Sequence, residues 1–79
     1  MRVDVELPSM GDDAESEAVV AYWAAEVGAQ LDEGDDLVEL TTDKAAFTLP
    51  APRRGRLVER RVAEGDAVSV GDVLCVLEV

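Results

Sequence analysis

Two stretches of this 79-residue chain repeat one pattern at a distance of 37 positions. Residues 28–40 read Gly-Ala-Gln-Leu-Asp-Glu-Gly-Asp-Asp-Leu-Val-Glu-Leu, and residues 65–77 read Gly-Asp-Ala-Val-Ser-Val-Gly-Asp-Val-Leu-Cys-Val-Leu. Both glycines, one aspartate and all but one of the apolar positions of the first stretch coincide. Because glycines this frequent leave no room for helices of ordinary length, the repeat indicates two similar halves built from short strands.

Alternation of apolar and polar residues predicts where the strands lie. Residues 3–7 alternate with period two and stop at Pro8. Residues 17–25 combine alanines, which suit a helix, with valine, tyrosine and tryptophan, which favour strands. The repeat aligns this segment with the strand-like run 55–62, so we expect it to be a strand as well. The sequence therefore predicts one all-β domain over residues 1–79, a pseudo-symmetric sandwich or flattened barrel that closes its own edges.

Charge and composition exclude several classes of function. Eighteen acidic residues against seven basic ones give a net charge of −11, which repels nucleic acid and favours basic protein partners. The chain has no histidine, the most common general base, and its lone cysteine, Cys75, can form no internal disulfide. Its start does not resemble a signal peptide, and no apolar run approaches the roughly 18 residues of a membrane span. We therefore expect no membrane association and a cytoplasmic location.

No catalytic or metal-binding group of residues is apparent in the sequence. The adjacent acidic pairs at 12–13, 32–33 and 35–36 lack the spacing with a distal glutamate that is typical of a Ca²⁺ loop. Cys75 is expected on the inward side of a strand, as a core thiol. The single tryptophan, Trp23, is best explained by packing against a small core. We therefore expect no catalytic residue and no metal ligand.

The segment 37–49 predicts a β-hairpin with Asp43 and Lys44 as its two-residue turn. The cross-strand pairs are then Thr42:Ala45, Thr41:Ala46, Leu40:Phe47, Glu39:Thr48 and Val38:Leu49. This register places Val38, Leu40, Phe47 and Leu49 on one face, whereas the other face is mostly polar with Leu37 as the exception. A turn one residue longer or shorter would separate the apolar pairs. It also places the only lysine of the chain at the tip of the hairpin.

An exposed lysine amine on a rigid protrusion suits a covalent carrier. Such an amine is a poor general base near neutral pH, but a partner enzyme can acylate it. Lipoamide and biotin are group carriers of this kind, and tethering raises their effective concentration at each active site. The plainer alternative is a genome that encodes arginine in place of lysine, which leaves one solvated lysine. The position of Lys44 at the hairpin tip favours the carrier.

Taken together, these motifs resemble the lipoyl domain of 2-oxo acid dehydrogenase acyltransferases. The matching residues are Leu7-Pro8-Ser9-Met10-Gly11, Trp23, Gly28, Gly34-Asp35, Thr42-Asp43-Lys44-Ala45, Pro50-Ala51-Pro52, Gly55 and Glu64-Gly65-Asp66. The resemblance covers the whole chain and implies a flattened barrel of two four-stranded antiparallel sheets. It also implies that lipoate is joined by an amide to Lys44, with Asp43 and Ala45 as the flanking residues.

The resemblance implies a carrier domain or subunit rather than an enzyme. Such a domain shuttles acyl groups and reducing equivalents between the active sites of a 2-oxo acid dehydrogenase-type complex. The implied partners are a lipoate ligase or lipoyl transferase, a 2-oxo acid decarboxylase, an acyltransferase core and dihydrolipoamide dehydrogenase. The predicted recognition residues are Thr41, Thr42, Ala46, Gly28 and Gly34, together with the Ser9-Met10-Gly11 loop.

Two other functions remain open, a biotin carrier domain on the same fold and an unmodified adaptor barrel. Biotin carriers usually show Met-Lys-Met at the turn, so Asp43 and Ala45 favour lipoate. The chain departs from the family pattern at Thr41, where glutamate is frequent, at residues 27–29, where Glu-Gly-Asp is usual, and at Arg60, where an apolar residue is frequent. The parent complex stays open, as does the choice between an excised domain and a free-standing carrier.

Overall fold

The computed structural model describes residues 1–9 and 17–79, which form eight β-strands. They are β1 (Arg2–Glu6), β2 (Glu17–Trp23), β3 (Gln30–Leu31), β4 (Asp36–Thr41), β5 (Ala46–Pro50), β6 (Gly55–Arg60), β7 (Ala67–Ser69) and β8 (Val73–Glu78). Every strand pairing is antiparallel. Within the described residues there is no helix long and apolar enough to cross a membrane.

The strands form two four-stranded sheets that pack face to face. Sheet A has the order β1-β8-β6-β3, and sheet B has the order β5-β4-β2-β7. The predictions of an all-β fold and of two four-stranded antiparallel sheets are confirmed. Strands that follow one another along the chain often lie in different sheets, as β5 and β6 do, so each half of the repeat contributes to both sheets.

The sequence repeat appears in the structure as a pseudo-two-fold relation between the sheets. A shift of 37 residues moves β4 onto β8, β3 onto the start of β7 and β2 onto β6, while β1 and β5 correspond with a shift of 44. Under this correspondence the order of sheet B becomes the order of sheet A. The hydrogen bonds agree: the Gly28 N–H donates to the Leu57 carbonyl (2.7 Å), and the equivalent Gly65 N–H donates to the Val20 carbonyl (2.8 Å).

The repeated Gly-Asp pairs build equivalent turns. Gly34 and Gly71 have φ of +92° and +96°, a region that side chains with a Cβ rarely enter. The carboxylate that follows each glycine closes the turn, because Asp35 Oδ2 accepts a hydrogen bond from the Asp32 N–H (2.9 Å) and Asp72 Oδ2 accepts one from the Ser69 N–H (2.8 Å). The glycine and the aspartate therefore recur in both halves because each Gly-Asp pair builds the same type of turn.

The space between the sheets is filled by apolar side chains. They are Val5, Leu7, Ala18, Val20, Ala25, Leu31, Leu37, Val38, Leu40, Leu49, Ala51, Leu57, Val68, Leu74, Cys75 and Leu77. Val76 is also buried, on the other side of β8. Cys75 is fully buried, as predicted, and burial raises the pKa of its thiol to about 12. Within the described residues no polar or charged residue is buried, so the fold keeps its charges on the outer faces and in the loops.

Two local features differ from the sequence-based expectation. The second strand ends at Trp23 rather than at residue 25, because the N–H groups of Ala24 and Ala25 both donate to the Leu37 carbonyl, at 3.0 and 3.2 Å. Two successive amides on one acceptor break the strand ladder. Leu37, which strict alternation places on the polar face, is buried beside Val38 because the register shifts at the start of β4.

Candidate modification site at a hairpin tip

The hairpin formed by β4 and β5 has the predicted register. Thr41 pairs with Ala46, Leu40 with Phe47, Glu39 with Thr48 and Val38 with Leu49. Three of the four apolar side chains on the inward face are buried, and Phe47 is half-buried near the edge of the sheet. The hairpin is therefore anchored in the core along one face, and its tip extends beyond the last pair.

The turn itself is held by Thr42. The Thr42 N–H donates to the Ala45 carbonyl (2.8 Å), which closes a loop of two residues, Asp43 and Lys44. Thr42 Oγ1 accepts hydrogen bonds from the N–H groups of Lys44 and Ala45, both at 3.3 Å, and also lies 3.3 Å from the Ala45 carbonyl. None of the described non-glycine residues has positive φ, so this turn needs no glycine. Its threonine supplies the local order instead.

The structure leaves the lysine amine accessible. Asp43, Lys44 and Ala45 are all exposed, and Lys44 forms no ion pair with any residue in 1–9 or 17–79. The backbone on either side of it is fixed by the Thr42 hydrogen bonds. The arrangement combines a rigid attachment point with a free side chain, which is what a tethered group requires.

A shallow groove of about 300 Å³ runs beside the tip. It is lined by Glu17, Ala18, Val19, Thr41, Thr42, Asp43 and Ala67. Val19 is 42 % exposed, and its carbonyl accepts a long hydrogen bond from Thr41 Oγ1 (3.5 Å). The base of the lysine-bearing turn is therefore continuous with the exposed side of β2.

The predicted recognition residues fall into two groups. Thr41, Thr42 and Ala46 surround the turn that bears Lys44. Gly28 lies in a turn that follows β2, and Gly34 lies in a turn that precedes β4. Both turns are at the strand ends farthest from the tip, so the length of a strand separates these glycines from Lys44. Ser9 is exposed, and Met10 and Gly11 lie outside the described residues. A role in recognition stays a prediction for every one of these residues.

The end of β2 that lies away from the tip carries the aromatic residue that the sequence singled out. The Trp23 indole N–H donates to the Val62 carbonyl (3.1 Å), and the Arg60 guanidinium carbon lies 5.5 Å from the centre of the Trp23 ring. Arg60 and Trp23 are themselves related by the 37-residue repeat. The arginine therefore stacks on the tryptophan, which explains the departure from an apolar residue at position 60.

The chain termini occupy the place in sheet A that the hairpin tip occupies in sheet B. The Val79 N–H donates to the Met1 carbonyl (2.7 Å), as the Thr42 N–H donates to the Ala45 carbonyl. Next to it, Arg2 Nε lies 3.1 Å from Glu78 Oε2. This hydrogen bond, followed by smaller contributions from nearby positive charges, holds the pKa of the Glu78 carboxyl below its usual value.

Comparison with protein families and curated proteins gives one consistent group. The biotin/lipoyl family model, described as biotin-requiring enzyme, matches residues 3–78. The acetyltransferase component of the pyruvate dehydrogenase complex of Corynebacterium glutamicum is 31 % identical over 98 % of this chain. The succinyltransferase component of the 2-oxoglutarate dehydrogenase complex of Bartonella vinsonii subsp. berkhoffii is 35 % identical over 99 % of it. The chain spans 11 % and 19 % of the lengths of these two relatives.

Two solved structures share the fold. The lipoyl domain of the 2-oxoglutarate dehydrogenase complex from Azotobacter vinelandii has a TM-score of 0.76 and 26 % identity, covering 98 % of this chain and 96 % of that one. A single-chain, multi-domain long-chain acyl-CoA carboxylase has a TM-score of 0.73 and 28 % identity, covering 95 % of this chain and 7 % of the carboxylase.

Proposed function

The chain belongs to the biotin/lipoyl attachment family, and we propose that it is a lipoyl carrier domain whose lipoate is joined by an amide bond to Nζ of Lys44. The observation that carries the proposal is the position of the only lysine, exposed at the tip of a hairpin whose turn is held by Thr42. The acyltransferase components named among its relatives support lipoate as the attached group.

The residues at the tip fit such an attachment. Amide formation joins Nζ to the carboxyl carbon of an activated lipoate, such as an acyl adenylate, while the bond from that carbon to its leaving group breaks and the ammonium releases two protons. The exposed side chain can enter the active site of a ligase or transferase, and Asp43 and Ala45 flank it without covering it. Attachment removes the positive charge of Lys44 and leaves the Asp43 carboxylate unbalanced at the tip.

The attached dithiolane supplies the acyl-carrying and two-electron chemistry, while the protein supplies position. The fixed backbone at Thr42 and Ala45 provides a single point from which the arm extends. We propose that the domain serves a 2-oxo acid decarboxylase, an acyltransferase core and dihydrolipoamide dehydrogenase in turn. The net charge of −11 supports encounter with partners that present basic surfaces.

A biotin carrier domain is the second candidate. The family description names biotin-requiring enzymes, and the carboxylase structure is as similar to this chain as the lipoyl domain is. The same lysine would carry the biotin, so the geometry of the tip does not separate the two groups. The flanking residues Asp43 and Ala45, where biotin carriers usually have methionine, favour lipoate.

Intact mass separates these functions. The purified domain is incubated with a lipoate ligase, lipoate and ATP, and in parallel with a biotin ligase, biotin and ATP, with Lys44→Arg as the control in each. We expect a lipoyl adduct on the parent, localised to Lys44 by digestion, and none on the variant. A biotin adduct alone would establish the second candidate, and no adduct on the folded parent from either enzyme would leave the unmodified adaptor.

A further inference from the structure

The outward faces of the two sheets differ at equivalent positions. In sheet A the outward row Arg2–Glu78–Arg56 pairs across three strands, and the row Asp4–Val76–Glu59 lies beside it. In sheet B the equivalent rows are Ala46–Thr41–Val19 and Thr48–Glu39–Tyr22. Five of the six positions are charged in sheet A, and one is charged in sheet B.

The outward face of sheet A is ionised and internally compensated. Arg2 pairs with Glu78 (3.1 Å), and Glu59 pairs with Arg61 from the following loop. The one apolar member, Val76, is only 4 % exposed. A partner that docked here would have to remove water from several charges at once, which is costly.

The outward face of sheet B has the opposite character. At the positions equivalent to those six residues it carries Val19, Tyr22, Glu39, Thr41, Ala46 and Thr48, and we call this set of residues the neutral face. Tyr22 is 49 % exposed and Val19 is 42 % exposed, and tyrosine is among the residues enriched where proteins bind each other. The neighbouring strand β7 carries no charge, and the next charged residue along β2 is another acid, Glu17, which is exposed two positions before Val19.

The single charge on the neutral face has no cation beside it. Glu39 is half-buried and forms no ion pair with any residue in 1–9 or 17–79. The sequence of residues 10–16 contains no lysine or arginine. All six arginines lie in sheet A or in the loops that flank β6. A basic group from a partner would meet this carboxylate without competition from the chain itself.

The neutral face extends to the lysine-bearing turn. Val19 pairs with Thr41, and Val19, Thr42 and Asp43 line the same groove. An enzyme that acylates Lys44 must take the bare side chain into its active site and so must lie against the hairpin.

We propose that the neutral face is the docking surface of the enzyme that acylates Lys44, and that this enzyme presents a basic side chain opposite Glu39 within an apolar surface around Tyr22 and Val19. This inference rests on the proposed function, and it adds the face of the domain that the acylating enzyme contacts. Docking on this face brings the tip into the active site of the enzyme and leaves the ionised face in water.

Two matched double variants test the docking surface. The variant V19R/T48D gives the neutral face the residues found at the equivalent positions of sheet A, and D4T/R56V removes those charges from sheet A. Both keep the net charge at −11, so long-range attraction is unchanged. For V19R/T48D we expect the KM of a lipoate ligase for the domain to rise at least about tenfold, because hot-spot contacts are lost, with kcat within about twofold. For D4T/R56V we expect the parental KM.

The possible outcomes separate the two proposals. If the parent is lipoylated and V19R/T48D has the parental KM, the docking surface is wrong and the carrier function stands. The same conclusion follows if D4T/R56V raises the KM as much as V19R/T48D does. If the folded parent is never lipoylated, the proposed function itself is wrong. A melting curve shows whether each variant is folded. Amide shifts of the unmodifiable Lys44→Arg domain on addition of the ligase provide a second test, and shifts confined to sheet A would overturn the inference.

Discussion

The hairpin tip and the chain termini are equivalent places in a nearly symmetric fold, yet they are built differently. At the tip the chain runs on through Asp43 and Lys44, and Thr42 orders the turn. At the other end the same backbone hydrogen bond joins Val79 to Met1, with an ion pair beside it. The fold offers two similar positions, and only the one at the tip carries a lysine on a turn that is closed by hydrogen bonds.

Packing next to the two positions differs as well. Gly55 lies against the terminal end, where a Cβ would come within 2.8 Å of the Glu78 carbonyl oxygen and 2.9 Å of Val79 Cγ1. The equivalent residue near the tip is Ala18, which already has a Cβ and lines the open groove. The terminal end is therefore closely packed at this position, whereas the tip has an accessible groove next to its lysine.

The largest effect is expected when the lysine moves by one position within its own turn. The exchange D43K/K44D keeps the composition, the net charge and every cross-strand pair. The amine then leaves from the first turn position in a different direction, and a displacement of about 1 Å can reduce a rate by about 100-fold. We expect the rate of lipoylation, measured by intact mass over time, to fall about 100-fold. Modification at the parental rate would show that the ligase does not read the geometry of the hairpin.

The melting temperature of the exchanged domain is the control. Both residues are solvated, and substitutions at such positions usually change the free energy of unfolding by less than about 0.5 kcal/mol. A large drop in melting temperature would mean that the turn was damaged, and the change in lipoylation would then report on folding.

The second prediction transfers the turn to the terminal end. In a circularly permuted chain, Asp-Lys joins Val79 to Met1, and the original tip is opened by removing Asp43 and Lys44. We expect the chain to fold, because exposed tips tolerate opening and the Val79–Met1 hydrogen bond matches the one at the tip. Lipoylation should fall at least about tenfold, because the new lysine stands beside the ionised face of sheet A.

The outcome of the permutation separates the turn from its surroundings. Modification of the permuted chain at the parental rate would mean that the turn alone is sufficient for recognition. Rates are measured with the same lipoate ligase for both chains, and circular dichroism establishes that the permuted chain has the parental strand content.

The third prediction concerns the glycine that lets the terminal end close. Gly55→Ala forces its Cβ against the Glu78 carbonyl and the Val79 side chain, and overpacking of this kind costs about 1–3 kcal/mol. The matched change at the tip, Ala18→Gly, removes a Cβ from a strand and should cost about 1 kcal/mol or less. Urea denaturation measures both free energies. Equal losses would contradict the difference in packing between the two ends.

A smaller effect is expected from the threonine that orders the tip. Thr42→Val removes the oxygen that accepts from Lys44 and Ala45, which should cost about 0.5–1.5 kcal/mol and loosen the turn. Hydrogen exchange at the Lys44 and Ala45 amides should become faster, and lipoylation should slow severalfold. Thr42→Ser keeps the oxygen and should restore both. Unchanged hydrogen exchange in Thr42→Val would show that the Thr42 hydroxyl does not order the turn.

The smallest effect belongs to the ion pair of the terminal end. Arg2 holds the pKa of Glu78 below its ordinary value of 4.5, so the pair stabilises the fold above that pH and its contribution is lost as the pH falls further. The difference in melting temperature between the parent and Arg2→Gln should be present at pH 7 and shrink in acid. Thr41→Val, at the position of the tip that is equivalent to Glu78, involves no titratable group, so its effect should not vary with pH in the same way.

The sequence by itself determined the hairpin and the position of its lysine. Period-two alternation decides which side chains of β4 and β5 face the core, and only one turn length keeps the apolar set together. The 37-residue repeat likewise predicted two similar halves, because the same glycine and aspartate positions produce the same turns in both. Both inferences depend on patterns along the chain that can be recognised before it is known which strands pair.

The tertiary structure decided what depends on distant partners. β2 ends at Trp23 because two amides compete for the Leu37 carbonyl, and Leu37 is buried because β4 shifts register. Gly28 and Gly34 proved to lie at the far end from Lys44 only once the strands were assigned to their sheets. The contrast between an ionised and a neutral face also depends on that assignment. Alternation along a strand tells which residues point outward, whereas the neighbours of those residues come from strands far away in the chain, as Arg2 and Glu78 do.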